Sequence, residues 1–296
     1  MPDPHRPSPV SHNGRPWVVA AAVLWSTSGL FVKSTMFLDW SSDVRGVRLA
    51  FWRALFAGLL LIPAVRRPRL RWLMLPMVFC FAGMNMSYLS AMTLGTAANA
   101  IWLQYTAPLW VMIYGTLVLK EPFTRRNAVS AVFLILGLLT ILLPELGGQN
   151  PVGVVLALVA GGFYAAVVLF LRTMRDEDGP WLVVLNHLGA AMIIAPFMFA
   201  HGFVWPSSPQ FGILVLFGFF QMGLAYFCFS RGLRNVTGSE AAILGLVEPL
   251  LVPVWAYLVA TELPGTTTAL GAGLILLGLL YQVAFQTRAN EQGARE

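Results

Sequence analysis

Two charged side chains stand deep inside stretches that are otherwise almost free of charge. Glu248 lies in the apolar run 239–260, directly before Pro249, and Arg53 lies in the run 47–65. A carboxylate at such depth is costly unless it is paired or faces water. Three roles are open to Glu248. It can attract a cationic group. It can take up a proton in exchange for one. It can bond a neighbouring helix through backbone groups that Pro249 leaves free. Arg53 can snorkel to an interface or reach a carboxylate, and Lys33 belongs near the same surface. A small molecule carrying both an ammonium and a carboxylate would suit Glu248 and Arg53 together.

Polar and aromatic residues recur around these charges at helical spacing. Phe81, Asn85, Tyr88 and Met92 fall at i, i+4, i+7 and i+11, on one face of a helix. That face is either a cavity wall or a packing surface. In both cases Asn85 turns inward, because an amide facing lipid would leave its polar groups unpaired. Asn99, Trp102, Thr106 and Trp110 make a second stripe, with Gln104 and Tyr105 on another side, toward a second helix. Trp102 is close enough to the end of its run to be an interface anchor, whereas Trp110 is placed to face a cavity. Phe217, Phe220, Gln221 and Leu224 share a third face, from which Tyr226 points away. His187, next to Asn186, reads first as a packed, hydrogen-bonded residue and second as a proton carrier. All of these except Thr106, Gln104, Tyr105, Met92, Asn186 and the helix-eight apolar residues are counted as candidate solute contacts, together with Glu248.

The same residues argue against catalysis. His187 and Glu248 are isolated from any base, nucleophile or ligand set, so a membrane enzyme lacks its machinery. Cys80 and Cys228 lie within apolar runs as filler, with neither a disulfide nor Cys/His metal spacing. No P-loop pattern is present, so any work must draw on an ion or solute gradient. Neither a cofactor nor a metal is expected.

The elements that position these residues are membrane helices. Hydrophobic residues make up 57% of the 296, mean hydropathy is +0.72, and charged residues are 11%, against about 25% in a soluble domain. A span needs roughly 20 apolar residues. Ten such runs can be marked: 17–36, 47–65, 72–94, 97–119, 127–144, 152–171, 181–200, 210–230, 239–260 and 266–286. Their length and lack of two-residue alternation favour helices over barrel strands. The fold expected is an all-α integral membrane protein. Residues 1–16 and 287–296 are expected as tails, the first disordered, and the first apolar run is a span rather than a cleaved signal. The net charge of +6 marks orientation rather than a nucleic-acid partner. With a cytoplasmic N-terminus, fifteen of the 19 Lys and Arg fall inside, and an even number of spans puts both termini there. Spans five and ten are rich in Gly, Ala and Leu, so they are expected as packing struts or a homodimer contact.

The chain also repeats itself. Pro108 and Pro249, Glu121 and Glu262, Gly137 and Gly278, and Ala100 and Ala241 all stand 141 positions apart. Each half, 17–144 and 152–286, holds five spans. Five is odd, so the second half crosses the bilayer in the opposite sense, the pattern of alternating-access transporters. The paired prolines are expected as hinges or static kinks, and the two Glu as local caps or ion pairs.

Thr106-Ala107-Pro108-Leu109 followed by Glu121-Pro122 resembles the fourth-helix signature of the drug/metabolite transporter superfamily, EamA type. Val247-Glu248-Pro249-Leu250 followed by Glu262 repeats it. Trp25-Ser26-Thr27-Ser28-Gly29 with Lys33 resembles the family's first helix, with Ser26 where Gly is frequent, and Trp52-Arg53-Ala54 its second-helix arginine. On that resemblance Trp25 joins the candidate contacts. The resemblance implies two inverted five-helix repeats in the inner membrane, no enzymatic activity, and transport of a small metabolite, commonly export, with amino acids and cations among the solutes. Met74, Met77, Met84, Met86 and Met92 in span three suit an apolar or aromatic solute part.

Overall fold

The computed structural model describes residues 14–117, 120, 122–148, 150–200, 202–236 and 238–293, with only the backbone for 238, 239 and 285–293. Glu121 and most of the two tails lie outside the described residues. The described chain is helical throughout, without strands. Span one is α1 (Arg15–Ser26) and α2 (Ser28–Val32), span two α3 (Ser42–Leu61), and span three α4 (Met74–Leu94). Span four is α5 (Ala97–Gln104) and α6 (Ala107–Leu117), and span five α7 (Arg125–Leu146). Spans six and seven are α8 (Pro151–Thr173) and α9 (Gly179–Ala200). Span eight joins α10 (Ser208–Leu216), a π-helical stretch Phe217–Leu224 and α11 (Ala225–Gly232). Span nine is α12 (Gly238–Gly245) and α13 (Val247–Ala260), and span ten lies in α14 (Thr266–Gly293).

Nine of these spans are long and apolar enough to cross a bilayer among the described residues. The tenth, span four, is the pair α5 and α6. α14 runs past position 286 to Gly293, because Gln, Ala and Arg there continue the helix beyond the apolar stretch. α3 starts at Ser42, earlier than hydropathy suggests, because its arginines are satisfied internally. Arg45 donates to the Trp40 carbonyl at 2.7 Å and Arg48 to that of Gly202 at 2.7 Å.

Spans four and nine break at equivalent places. α5 ends at Gln104 and α12 at Gly245, again 141 residues apart. Pro108 and Pro249 fall in the first turns of α6 and α13, where a missing N–H costs nothing. Thr106 Oγ1 donates to the Leu103 carbonyl at 2.6 Å, covering an acceptor at the first break. Span nine ends in a left-handed residue, Thr261 (φ 52°), and its equivalent after span four, Lys120, is also left-handed (φ 55°).

Contacts between loop ends give the sense of each helix. The amide of Ala97, at the start of span four, donates to Glu262 Oε1 at 2.6 Å, just after the end of span nine. Equivalent helices therefore run in opposite directions, and the two five-helix halves are inverted. At that end Lys33 Nζ also meets Glu262 Oε2 at 2.5 Å and the Gly95 carbonyl at 2.7 Å. At the opposite, arginine-rich end, Asp178 accepts from the amides of Arg66 and Arg67 at 2.7 and 2.9 Å. Arg71 pairs there with Glu177 at 2.9 Å, and Arg15 with Glu240.

α7 and α14 pack on each other within the chain. A Cβ on Gly137 would stand 2.6 Å from the Gly271 carbonyl oxygen, so only glycine allows this approach. Ser130 Oγ donates to the Gly278 carbonyl at 2.9 Å. The 141-residue shift exchanges these two contacts, as a pseudo-twofold axis requires.

Candidate functional site

Eight of the ten spans surround a central cavity, and its walls come from both halves. The cavity measures about 120 Å³ and is lined by Trp25, Arg53, Phe81, Met84, Tyr88, Gln104, Tyr105, Tyr164, Gln221, Met222, Tyr226 and Glu248. That is room for about four waters at ~30 Å³ each, enough for a small polar head group. Spans one, two, three, four, six, eight and nine supply the lining directly, and span seven backs it.

Arg53 does not snorkel. It is 2% exposed, and its guanidinium donates to Asn85 Oδ1 and, at 3.2 Å, to Gln221 Oε1. The ring of Phe217 lies 5.3 Å from its Cζ. Asn85 Nδ2 donates to the Ala50 carbonyl at 3.0 Å, and Gln221 Nε2 to the Trp25 carbonyl at 3.1 Å. Across the cavity, Glu248 Oε2 accepts the Tyr105 hydroxyl at 2.9 Å. Glu248 thus bonds the opposite half of the chain rather than the backbone freed by Pro249. Arg53 and Glu248 form no ion pair with one another or with any other described residue.

Of the candidates, Trp25, Phe81, Tyr88, Gln221, Tyr226 and Glu248 meet at this cavity. Asn85 sits behind it, 1% exposed, on Arg53. Tyr88 Oη is 3.3 Å from Ser28 Oγ, joining spans one and three. His187 is also behind the wall: its Nδ1 donates to the Val183 carbonyl at 2.8 Å, and its ring packs 4.8 Å from Phe81 and 6.0 Å from Tyr226. Asn99 is elsewhere, accepting from Thr268 Oγ1 at 2.6 Å where α5 meets α14. Trp102 is buried edge-on to Tyr105, 6.4 Å away. Trp110 is 41% exposed and lines a separate groove of about 790 Å³ with Tyr114 and Arg172, on the face of α8 opposite Tyr164. Lys33 belongs to the end-of-bundle cluster with Glu262.

Helical spacing misplaces several lining residues. Gln104 and Tyr105 enter the cavity because α5 stops there, so the stripe through Asn99 and Trp102 does not continue into α6. Gln221 and Tyr226 meet because π-helical bonding brings i and i+5 into line, where α-helical spacing sends them apart. Met84 is one of the span-three methionines expected to suit an apolar solute part, whereas Tyr164 and Met222 carried no signal beyond being mid-span.

The EamA-like transporter family matches residues 12–143 and again 151–283, and the chain belongs to that family. It is a multi-pass membrane transporter. An uncharacterised transporter from Archaeoglobus fulgidus is 27% identical over 274 residues, covering 90% of this chain and 95% of its own. The S-adenosylmethionine uptake transporter of Rickettsia felis is 22% identical, covering 85% of this chain and 89% of its own. The pseudopaline exporter CntI of Pseudomonas aeruginosa is 22% identical over 184 residues, 62% of this chain and 64% of its own. A crystal structure at 18% identity superposes with a TM-score of 0.65 over 92% of this chain and 98% of that one, showing the fold alone.

Proposed function

We propose that the chain exports a small amphipathic solute, an amino acid or a close relative, across the cytoplasmic membrane by alternating access. The observation that carries this reading is one cavity holding a buried cation and a carboxylate that are not bonded to each other. An amino acid brings the opposite charges, and Trp25, Phe81 and the tyrosines accept its apolar part. Alternating access is supported by a broken symmetry. α5 packs against α13, while the equivalent pair, α12 and α6, makes no comparable contact among the described residues: α6 lies on α8 and α7, and α12 mainly on α1 and α14. A Cβ on Gly245, where α12 ends, would meet nothing within 4 Å. Exchanging which pair is packed would close the arginine-rich end and open the other. The positive-inside rule assigns the arginine-rich end, with both termini, to the cytoplasm.

Export follows the family resemblance and the pseudopaline exporter among the relatives. Import is the second reading, favoured by the uptake transporter among the relatives. Purified protein in proteoliposomes, loaded with amino acids, amines or sugars, is the test. Saturable counterflow with amino acids is expected. Flux that never saturates would indicate a channel, and no flux a scaffold. Under an imposed pH gradient the wild type is expected to accumulate solute against its own gradient, and Glu248→Gln is not. Oriented vesicles then give the direction.

A further inference from the structure

Each charge in the cavity is held by neutral groups alone. The two groups on Arg53 are side-chain amides, and both are locked. Their NH2 ends are spent on the carbonyls of Ala50 and Trp25, so each amide has only its oxygen to offer the guanidinium. Two amide oxygens satisfy two N–H groups without cancelling the charge, and a guanidinium carries five. A carboxylate at either position would neutralise Arg53 and weaken its attraction for a second anion.

We infer that Asn85 and Gln221 are positioning residues that present an uncompensated Arg53 to the solute's carboxylate, rather than contacts of the solute themselves. The inference rests on the proposed transport of amino acids. The backbone is shaped for it. Gln221 lies in the π-helical stretch Phe217–Leu224, and π turns cluster at functional sites. That stretch is pressed onto α3 at Gly218, where a Cβ would stand 2.6 Å from Phe56 Cβ and 3.1 Å from the carbonyl oxygen of Arg53 itself. Gly218 therefore sets Gln221 against Arg53 through the backbone. A buried cation without a direct counter-ion is unfavourable, so the remaining N–H groups of Arg53 are left to an arriving anionic group.

Two nearly isosteric variants test this. Gln221→Glu and Asn85→Asp each put a carboxylate on Arg53 inside the protein. In counterflow inhibition, phenylalanine is compared with its decarboxylated amine, phenethylamine. In each variant the half-inhibitory concentration of phenylalanine is expected to rise tenfold or more, while that of phenethylamine stays level or falls. Melting temperature in detergent is expected to hold, because the new internal ion pair offsets the amide donor lost to the Ala50 or Trp25 carbonyl. Should both compounds weaken equally, or neither change, the positioning role is overturned. Wild-type protein without counterflow for any amino acid would overturn the transport reading as well.

Discussion

Tyr105 and Glu248 show how a single hydroxyl can support a buried charge. Hydrogen bonds to charged groups contribute about 1.5–3 kcal/mol, and the Tyr105–Glu248 bond joins residues 143 apart in the chain. Tyr105→Phe keeps the ring and removes the donor. Its affinity for an amino acid is expected to fall roughly tenfold, since about 1.4 kcal/mol is a factor of ten. A binding isotherm on purified protein checks it, and unchanged affinity would detach Tyr105 from the site. Glu248 and Arg53 were legible in the sequence because a charge inside an apolar span stands out against its surroundings. Tyr105 was not, since an aromatic before a proline looks the same whether it faces a cavity or a neighbouring helix. His187 shows the opposite case: a polar side chain at mid-span that the fold spends on its own backbone carbonyl four residues earlier.

Helix interruptions do the positioning at the next scale. Spans four and nine break just before Pro108 and Pro249, and span eight loosens into a π-helix across Gln221. The prolines made the first two breaks readable. The π-helix left no mark in residue type, so a face drawn at α-helical spacing separated Gln221 from Tyr226. Glycines decide how closely the elements approach. Gly29 brings span one onto α13, where a Cβ would stand 2.4 Å from the Val252 carbonyl oxygen. Gly137 and Gly271 do the same for α7 and α14, the two spans that neither line nor back the cavity. Overpacking such a contact costs about 1–3 kcal/mol. Gly271→Val is expected to lower the melting temperature in detergent by several degrees while leaving solute affinity within about twofold, because α14 lines no part of the cavity. A large loss of affinity at full stability would show that the α7–α14 pair reaches the site.

For the whole molecule, the 141-residue repeat gives each contact an equivalent pair of positions at the other end. The α7–α14 contacts obey this symmetry and the contacts of spans four and nine break it. A pair of helices that stays symmetric suits a fixed frame, and a pair that does not suits a moving gate. Glu262 ties the packed end together: it accepts the Ala97 amide and pairs with Lys33, which in turn reaches the Gly95 carbonyl. These tie spans one, four and nine and the turn after span three into one cluster. Lys33 was expected near the same surface as Arg53, as a possible charge partner. The fold gives it to this cluster, since Glu262 supplies a partner that no local pattern could reveal from the far half of the chain. Glu262→Gln weakens the cluster without altering the cavity. In a background with Cys80 and Cys228 replaced, a cysteine at Thr96 is expected to react with a membrane-impermeant maleimide from the Lys33 side several-fold faster once Glu262→Gln is added. A cysteine at Gly245 should react from the arginine-rich side in the parent and more slowly in the Glu262→Gln variant, because opening one end closes the other. Exchanging the charges, Lys33→Glu with Glu262→Lys, should restore part of the parent pattern. If Gly245→Cys keeps the same reactivity whatever is done at Glu262, the two ends move independently and the rocking of inverted halves is not how this protein works.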